Sequence, residues 1–371
     1  MRFNQAGALQ RVDIRAVVVG DGFPTTPILN AQWVNSNNGS YNYSGQASIK
    51  FPNKVQTYSP LTIIWEASLT GTGSWKFAGS TQNIVYLLYH QPTKGAQMYQ
   101  TVVAYGSVGA AKDTPSAVLA GIWSNFKDKT AKRVSDGTSL YYYRTWARQI
   151  GKKQVFAPPV SLAGLLETRD GQCTAWSQLL YNAILAQGLP QDATGIGPVQ
   201  MMMIQANLTP PTEPNAPPPP KKTQLGLMVG TWIFGAENNE GTYLWKNQAN
   251  RLMQQSPGVK TKIMTAVPIN VLYQWYDFAG TPAVSYGGVN DGTVLLAQNN
   301  PNPLATFENH VVVEINGKYY DPSYGARYDT LPDMQNRAIA GFYNIQTLTS
   351  TNTMLILKGP NPYLYEQPYN P

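Results

Sequence analysis

Residues 309–325 read NHVVVEINGKYYDPSYG. Two β-prone arms, HVVVEI and KYYD, flank Asn316-Gly317. That dipeptide favours a type I′ hairpin turn, because both central residues must take positive φ. With a two-residue turn, Ile315 faces Lys318, Val313 faces Tyr320 and Val312 faces Asp321. Side chains alternate with period two, so His310, Val312 and Glu314 share one face, and Asp321 points to that face as well. His310 and Asp321 are then diagonal neighbours, ~7–8 Å apart at Cα, and their side chains can meet. A carboxylate so placed orients an imidazole and stabilises its charged form. A register slip of one residue would turn the two to opposite faces. Taken singly, His310 reads as well as a hydrogen-bonded strand histidine, and Asp321 as a turn residue before Pro322.

A second stretch, residues 169–190, reads RDGQCTAWSQLLYNAILAQGLP. Trp176, Leu179, Leu180, Ala183 and Ile184 fall at helical spacing. Gly188 and Pro190 follow as a stop signal, and Asp170 is placed to act near the N-cap. Cys173 therefore sits in the first turn of an amphipathic helix. Backbone N–H groups at such an end favour a thiolate and can receive the oxyanion of an acyl intermediate. A lone cysteine there reads equally as a small buried hydrophobe. The chain holds one cysteine and two histidines, His90 and His310. An internal disulfide is excluded, and so is an ordinary zinc site with four Cys/His ligands. Thiol or imidazole chemistry has only Cys173, His90 and His310 to draw on.

DGQCTAWSQLL (170–180) resembles the nucleophile motif of the transglutaminase-like superfamily, a papain-related group in which vertebrate transglutaminases carry Gly-Gln-Cys. NHVVVE (309–314) is similar to that family's N-H-A-W-x-E strand, with Val312 where the aromatic usually stands. YDPSYG (320–325) resembles its D-P-[ST] segment. The order Cys, His, Asp agrees too, as does a Gly-Leu-Pro just after the cysteine helix. The resemblance covers roughly residues 113–330. It implies an α+β fold with a papain/transglutaminase-like core, in which a helix carrying the cysteine packs on an antiparallel sheet carrying His and Asp. It implies Cys173 as nucleophile, His310 as general base and acid, and Asp321 as the orienting carboxylate. The Cys173 N–H would be one oxyanion donor, with Gln172, Trp146 and Asn309 as candidates for a second. Trp176, one turn past Cys173, reads first as core packing and second as a substrate contact. No cofactor or metal is expected, and with no calcium-site pattern evident in the sequence, calcium activation is not carried over.

Working outward, residues 1 to about 110 look all-β. AQWVN, ASIKF, LTIIWEASL, SWKFA, NIVYLLYH and YQTVVAYG are short apolar or alternating runs between Gly, Ser, Asn and Pro clusters. They suggest a small β-sandwich, of which the immunoglobulin-like type is one. His90 would end one of these strands, in a structural or exposed position. Near residue 113 the character changes. DTPSAVLAGIWSNFKDK shows helical spacing at Val118, Ile122 and Phe126, and SLYYYRTWARQIG reads as a further helix. VQMMMIQANL and QLGLMVGTWIFG read as strands on either side of the Pro-rich segment 209–222, an extended spacer. Residues 236–300 alternate helix-like and loop segments. The glycines at 287, 288 and 292 lack the strand-to-helix context and lysine of a phosphate loop. FYNIQ and TMLILKG suggest the last strands. The expected domains are 1–112, an accessory β-sandwich, and 113–371, the catalytic unit.

Composition bounds the function. The 371 residues are 43% hydrophobic and 13% charged, with 11% aromatic residues, which argues against a disordered chain. Net charge is +7, but the densest basic stretch, Lys127, Lys129, Lys132 and Arg133, is interrupted by Asp128 and reads as a solvated helix face. Nucleic acid is therefore not the expected partner. The longest apolar run, Leu225 to Phe234, is too short to span a bilayer. The N-terminus lacks a signal-peptide h-region, so the chain is expected to be cytoplasmic, or secreted with its signal already removed. The glycosylation patterns at Asn38, Asn42 and Asn207 are expected from chance in an Asn-rich chain. Three functions fit: a thiol amide or peptide hydrolase acting on a protein or peptide through a thioester, a protein-glutamine amine transferase, and a non-catalytic scaffold on the same fold. Bacterial-looking members of the superfamily are often hydrolases, which puts hydrolysis first.

Overall fold

A computed structural model describes residues 12–19, 29–33, 51–69, 72–108, 113–144, 147–149, 154–207, 224–229, 262–266, 274–277, 297–300, 306–344, 353–357 and 363–369. The chain divides into two compact units: Met1–Tyr89 with Ser107–Thr114, and His90–Gly106 with Pro115–Pro371. It is a mixed helix-and-sheet protein whose sheets are mainly antiparallel.

The first unit holds β1 (Val12–Val19), β2 (Leu29–Trp33), β3 (Gln56–Leu69) and β4 (Lys76–Leu87), in the order β2-β1-β3-β4, with every pairing antiparallel. β1 shows why it is a strand: Ile14, Ala16 and Val18 alternate with polar or half-exposed neighbours and turn inward. Ala16 and Val18 form a small core with Leu61, covered by Tyr58, Ile63, Trp65 and Val85. The AQWVN, LTIIWEASL, SWKFA and NIVYLLYH runs fall on β2, β3 and β4, whereas ASIKF lies almost wholly outside the described residues.

The second unit opens with a departure from expectation. YQTVVAYG is not a strand but a helix, α1 (Gln100–Gly106), buried from Thr101 onward. A short apolar run carries no periodicity that separates a strand from a buried helical turn. α2 (Pro115–Lys127) is the helix its spacing predicts, with Val118, Ile122 and Phe126 fully buried. SLYYYRTWARQIG, read as a helix, instead contributes β5 (Tyr141–Tyr142) and β6 (Ala147–Gln149). β6 pairs antiparallel with β7 (Gln154–Phe156), and β5 pairs in parallel with β8 (Asp170–Gly171), which follows α3 (Leu162–Thr168). Its three tyrosines and a tryptophan favour extended backbone over helix once partner strands are present.

α4 (Cys173–Ala186) runs through the middle of the unit. All its residues except Tyr181 are buried, so it is a core helix and not a surface one. It packs on α1, α2 and α3, on β9 (Val199–Asn207), and on β14, described below. Gly188 ends the helix with φ +58, and a Cβ there would sit 2.1 Å from the Gln91 carbonyl oxygen, so glycine is required.

The remaining strands are β10 (Gln224–Val229), β11 (Lys262–Ala266), β12 (Gln274–Asp277), β13 (Thr306–Phe307), β14 (His310–Ile315), β15 (Lys318–Asp321), β16 (Ala326–Tyr328), β17 (Ile339–Asn344), β18 (Thr353–Leu357) and β19 (Tyr363–Pro368), with α5 (Leu331–Ala338) between β16 and β17. They build an eleven-stranded sheet in the order β12-β11-β18-β17-β10-β9-β14-β15-β16, with β13 against β10 and β19 against β9. Only β11–β18 is parallel. β11 and β12 put strands where helix-like segments were expected, while the glycines at 287, 288 and 292 and the Pro-rich segment lie outside the described residues. β14 and β15 pair in the expected register, Ile315 with Lys318 and Val313 with Tyr320. Asn316 and Gly317 take φ of 50 and 75°, as the type I′ turn demands.

Among the described residues, no helix is long and apolar enough to cross a membrane. No cluster of three or more His, Cys, Asp or Glu among them has the arrangement to hold a metal ion.

Candidate active site

Three sequence-predicted residues come together in the second unit. Cys173 is the first residue of α4, His310 the first of β14, and Asp321 the last of β15. His310 Nε2 and Asp321 Oδ2 are 2.8 Å apart. Asp321 is held in turn by two N–H donors of the following turn: Ser323 and Tyr324 both donate to its Oδ1. All three side chains are buried, with Cys173 5% exposed, His310 0% and Asp321 1%. The second ring nitrogen of His310, Nδ1, has no hydrogen-bond partner of good geometry. Cys173 lies near enough to act on the imidazole electrically and by hydrogen bonding.

The electrostatics of His310 pull two ways. Burial disfavours the imidazolium and is the largest single influence. The Asp321 carboxylate opposes it through charge and hydrogen bonding, Cys173 adds to the opposition, and together they hold the pKa above the usual 6.5. A proton is therefore favoured on the imidazole at neutral pH. That is the state in which a neighbouring thiolate is stabilised.

The helix end supplies donors. Gln172 is the N-cap residue, and its side chain makes no cap hydrogen bond. Asp170, expected near the cap, sits in β8 and accepts from the Arg144 N–H. The chain enters α4 through the short parallel pairing of β5 with β8, which spends Asp170 on the loop after β5. The first N–H groups of a helix have no partner inside it. Those of Cys173, Thr174 and Ala175 stand in that position. One turn on, the Ser177 hydroxyl donates to the Val311 carbonyl at 2.8 Å, tying the cysteine helix to the histidine strand.

The other candidates divide. The Gln172 amide is committed: its nitrogen donates to the Pro158 carbonyl at 2.8 Å and its oxygen accepts from the Tyr143 hydroxyl at 2.8 Å. Asn309 precedes β14 and is half-buried. Trp146 lies outside the described residues. Trp176 is fully buried, set edge-on to Phe126, with its indole N–H on the Tyr141 carbonyl, which is a packing position. His90 is exposed beyond the end of β4 and belongs to the second unit, where its N–H donates to the Gln187 carbonyl.

The sequence reading missed an aromatic wall around the imidazole. Phe307 and Tyr324 each place a ring centroid 5.7 Å from that of His310. Tyr142 meets Tyr324 at 5.2 Å, and Tyr143 meets Phe307 at 5.7 Å. Burial, reinforced by Cys173 and Asp170, pushes the Tyr143 hydroxyl pKa up. Burial does the same for Tyr142 and Tyr324, with Asp321 contributing at both. Neutral phenols and rings around the pair lower its local dielectric and strengthen its electrostatics. The run Tyr141-Tyr142-Tyr143 and the tyrosine after Asp-Pro-Ser were visible signals, but nothing local tied them to His310.

The wall is held by a staple at residues 298–300. Gln298 donates from Nε2 to the Phe126 and Pro322 carbonyls at 2.7 and 2.8 Å. Asn299 donates to the Ala131 and Leu140 carbonyls, and Asn300 to those of Tyr142 and Tyr143.

No family model matches the chain, and no curated protein matches it.

Proposed function

We propose that this chain is a cysteine-dependent amide or peptide hydrolase on a transglutaminase-like core, with its first unit an accessory β-sandwich domain. The observation that carries the reading is the buried His310–Asp321 contact of 2.8 Å, with the free Nδ1 of His310 left for a cysteine at a helix N-terminus. In this reading Cys173 attacks a substrate carbonyl and the carbonyl oxygen becomes an oxyanion. Helix-start N–H groups, that of Cys173 first, receive the oxyanion. His310 gives its proton to the leaving amine, and a thioester remains on Cys173. Water, deprotonated by His310, then cleaves the thioester and restores the thiol. Asp321 keeps the imidazole turned toward the sulfur throughout. Tyr142, Tyr143, Phe307 and Tyr324 exclude bulk water from the pair.

The test is alkylation by iodoacetamide against pH, read by intact mass, which one cysteine makes unambiguous. Alkylation at pH 6 is expected to fall at least about tenfold in His310→Ala, because the imidazolium that favours the thiolate is gone. Cys173→Ala is expected to abolish turnover of peptide amides while the protein still melts cooperatively. A Cys173→Ala protein that turns over amides, or a His310→Ala protein alkylated like wild type, would sink the reading.

A further inference from the structure

α2 shows two faces. Val118, Ile122 and Phe126 are buried in the core. Leu119, Trp123 and Lys127 recur every four residues on another side and line a groove of about 570 Å³. The opposite wall comes from the hairpin and its neighbour strand: Ile315, Lys318, Tyr320 and Arg327. Tyr320 pairs with Arg327 across β15 and β16, and Lys318 lies two residues before Tyr320, so all three share one sheet face. Asp321, the next residue, points to the other face. The groove and the His310–Asp321 pair therefore occupy opposite sides of the same hairpin.

The chemistry of the groove is consistent along its length. Its floor is apolar and aromatic, with Trp123 set edge-on to Tyr320 at 5.1 Å between ring centroids. Its rim is cationic: Lys127, Lys318 and Arg327 are exposed. No carboxylate is among the described residues that line it. Asp329 stands outside, 3.2 Å from Lys318 and 4.0 Å from Arg327, and exposed Asp128 follows Lys127 in the chain. Exposed pairs of this kind are weak and exchange readily. The volume lies in the ~300–1,000 Å³ range of sites that bind small molecules or short peptide segments.

We infer that this groove binds an acidic peptide segment in which carboxylates alternate with apolar side chains. In an extended peptide alternate side chains point opposite ways, so leucine-like groups can enter the floor while carboxylates turn to the rim. The complementarity is of charge at the edge and apolar surface at the centre, the usual anatomy of a protein–protein contact. It does not depend on the Cys173 chemistry, because none of the groove residues belongs to that site.

The experiment is titration of the full chain with a dye-labelled, end-blocked peptide of alternating Glu and Leu, read by fluorescence anisotropy, with the Gln/Leu counterpart beside it. The Glu peptide is expected to bind at least tenfold more tightly than the Gln peptide, and to weaken as salt rises from 50 to 500 mM. The variant Lys127→Gln/Lys318→Gln/Arg327→Gln changes only exposed side chains and is expected to fold, with binding reduced at least tenfold. Trp123→Ala tests the floor separately and is expected to weaken the Glu and Gln peptides alike. Equal binding of the two peptides, or unchanged binding by the triple variant, overturns the inference. So does binding of vesicles rich in anionic lipid that the triple variant loses while the peptide fails to bind. A wild-type dimer in sedimentation that the triple variant abolishes would assign the groove to a second copy and overturn it too.

Discussion

The two regions that meet at the candidate site are held by opposite means. The β14–β15 hairpin brings together His310 and Asp321, eleven positions apart, through a two-residue turn and the pleat of its arms. The facing wall, Tyr142 and Tyr143, is fixed by Asn300 from 158 and 157 positions away, through side-chain amides on backbone carbonyls. The first arrangement is written in neighbouring residues. The second exists only after the chain has closed a long loop, and it depends on Gln298 and Asn299 anchoring the same staple to the last turn of α2 and the segment after it. Local turn chemistry sets the register of His310 and Asp321, and distant polar staples set their surroundings.

The sharpest way to break that comparison is to cut the staple. Gln298 is fully buried, and its amide serves the Phe126 and Pro322 carbonyls and the Ala131 N–H. Gln298→Leu keeps much of the volume and takes that partner from the Pro322 carbonyl and the Ala131 N–H, while the Phe126 carbonyl keeps the Lys129 N–H. At ~1–3 kcal/mol for each stranded group, a loss of about 3 kcal/mol is expected in urea unfolding. A loss under about 1 kcal/mol would mean the wall is held by its aromatic packing instead.

The pair itself is probed by pH. The folded pKa of His310 is raised above its unfolded value, so the stabilisation is fully present below pH 6.5 and is lost as pH climbs through the raised value. Unfolding free energy of the wild type is expected to decline above pH 6.5 in a way that Asp321→Asn does not reproduce. The same variant is expected to lower amide turnover by about 10²-fold, the scale of an impaired general acid–base. Parallel pH–stability curves would show that the carboxylate does not govern the imidazole.

This division also explains what could be read in the sequence. The hairpin register, the helix that begins at Cys173 and the Gly188 stop follow from residues within a few positions of one another, and each stands in the structure where the pattern puts it; only the amphipathic character of that helix does not, since all but Tyr181 is buried. The errors lie where tertiary surroundings decide. YQTVVAYG has the composition of a strand, but burial from Thr101 to Gly106 against neighbouring helices makes it α1. SLYYYRTWARQIG has no Gly or Pro before Gly151 to break a helix, yet partner strands at Asp170–Gly171 and Gln154–Phe156 draw it into β structure. Asp170 looks like a cap and is consumed by the Arg144 N–H. The contact of Phe307 and Tyr324 with His310 was not read although both stand near the pair in sequence, because an aromatic residue carries no mark of which ring it will meet.

The smallest expected effect isolates the local half of the comparison. Gly317 takes φ +75, and a Cβ added there meets nothing within 4 Å. Gly317→Ala therefore costs only the backbone penalty of a left-handed residue with a side chain, about 1 kcal/mol. No packing is lost, and the hydrogen-bonded register of β14 and β15 can survive. The variant should unfold at slightly lower urea concentration than the wild type, with the same denaturant slope, and keep its His310-dependent pH profile. If Gly317→Ala instead costs more than Gln298→Leu, or erases the pH profile, then the turn is not an independent local unit. The register of the His310–Asp321 pair would then rest on the long-range staples as much as the aromatic wall does.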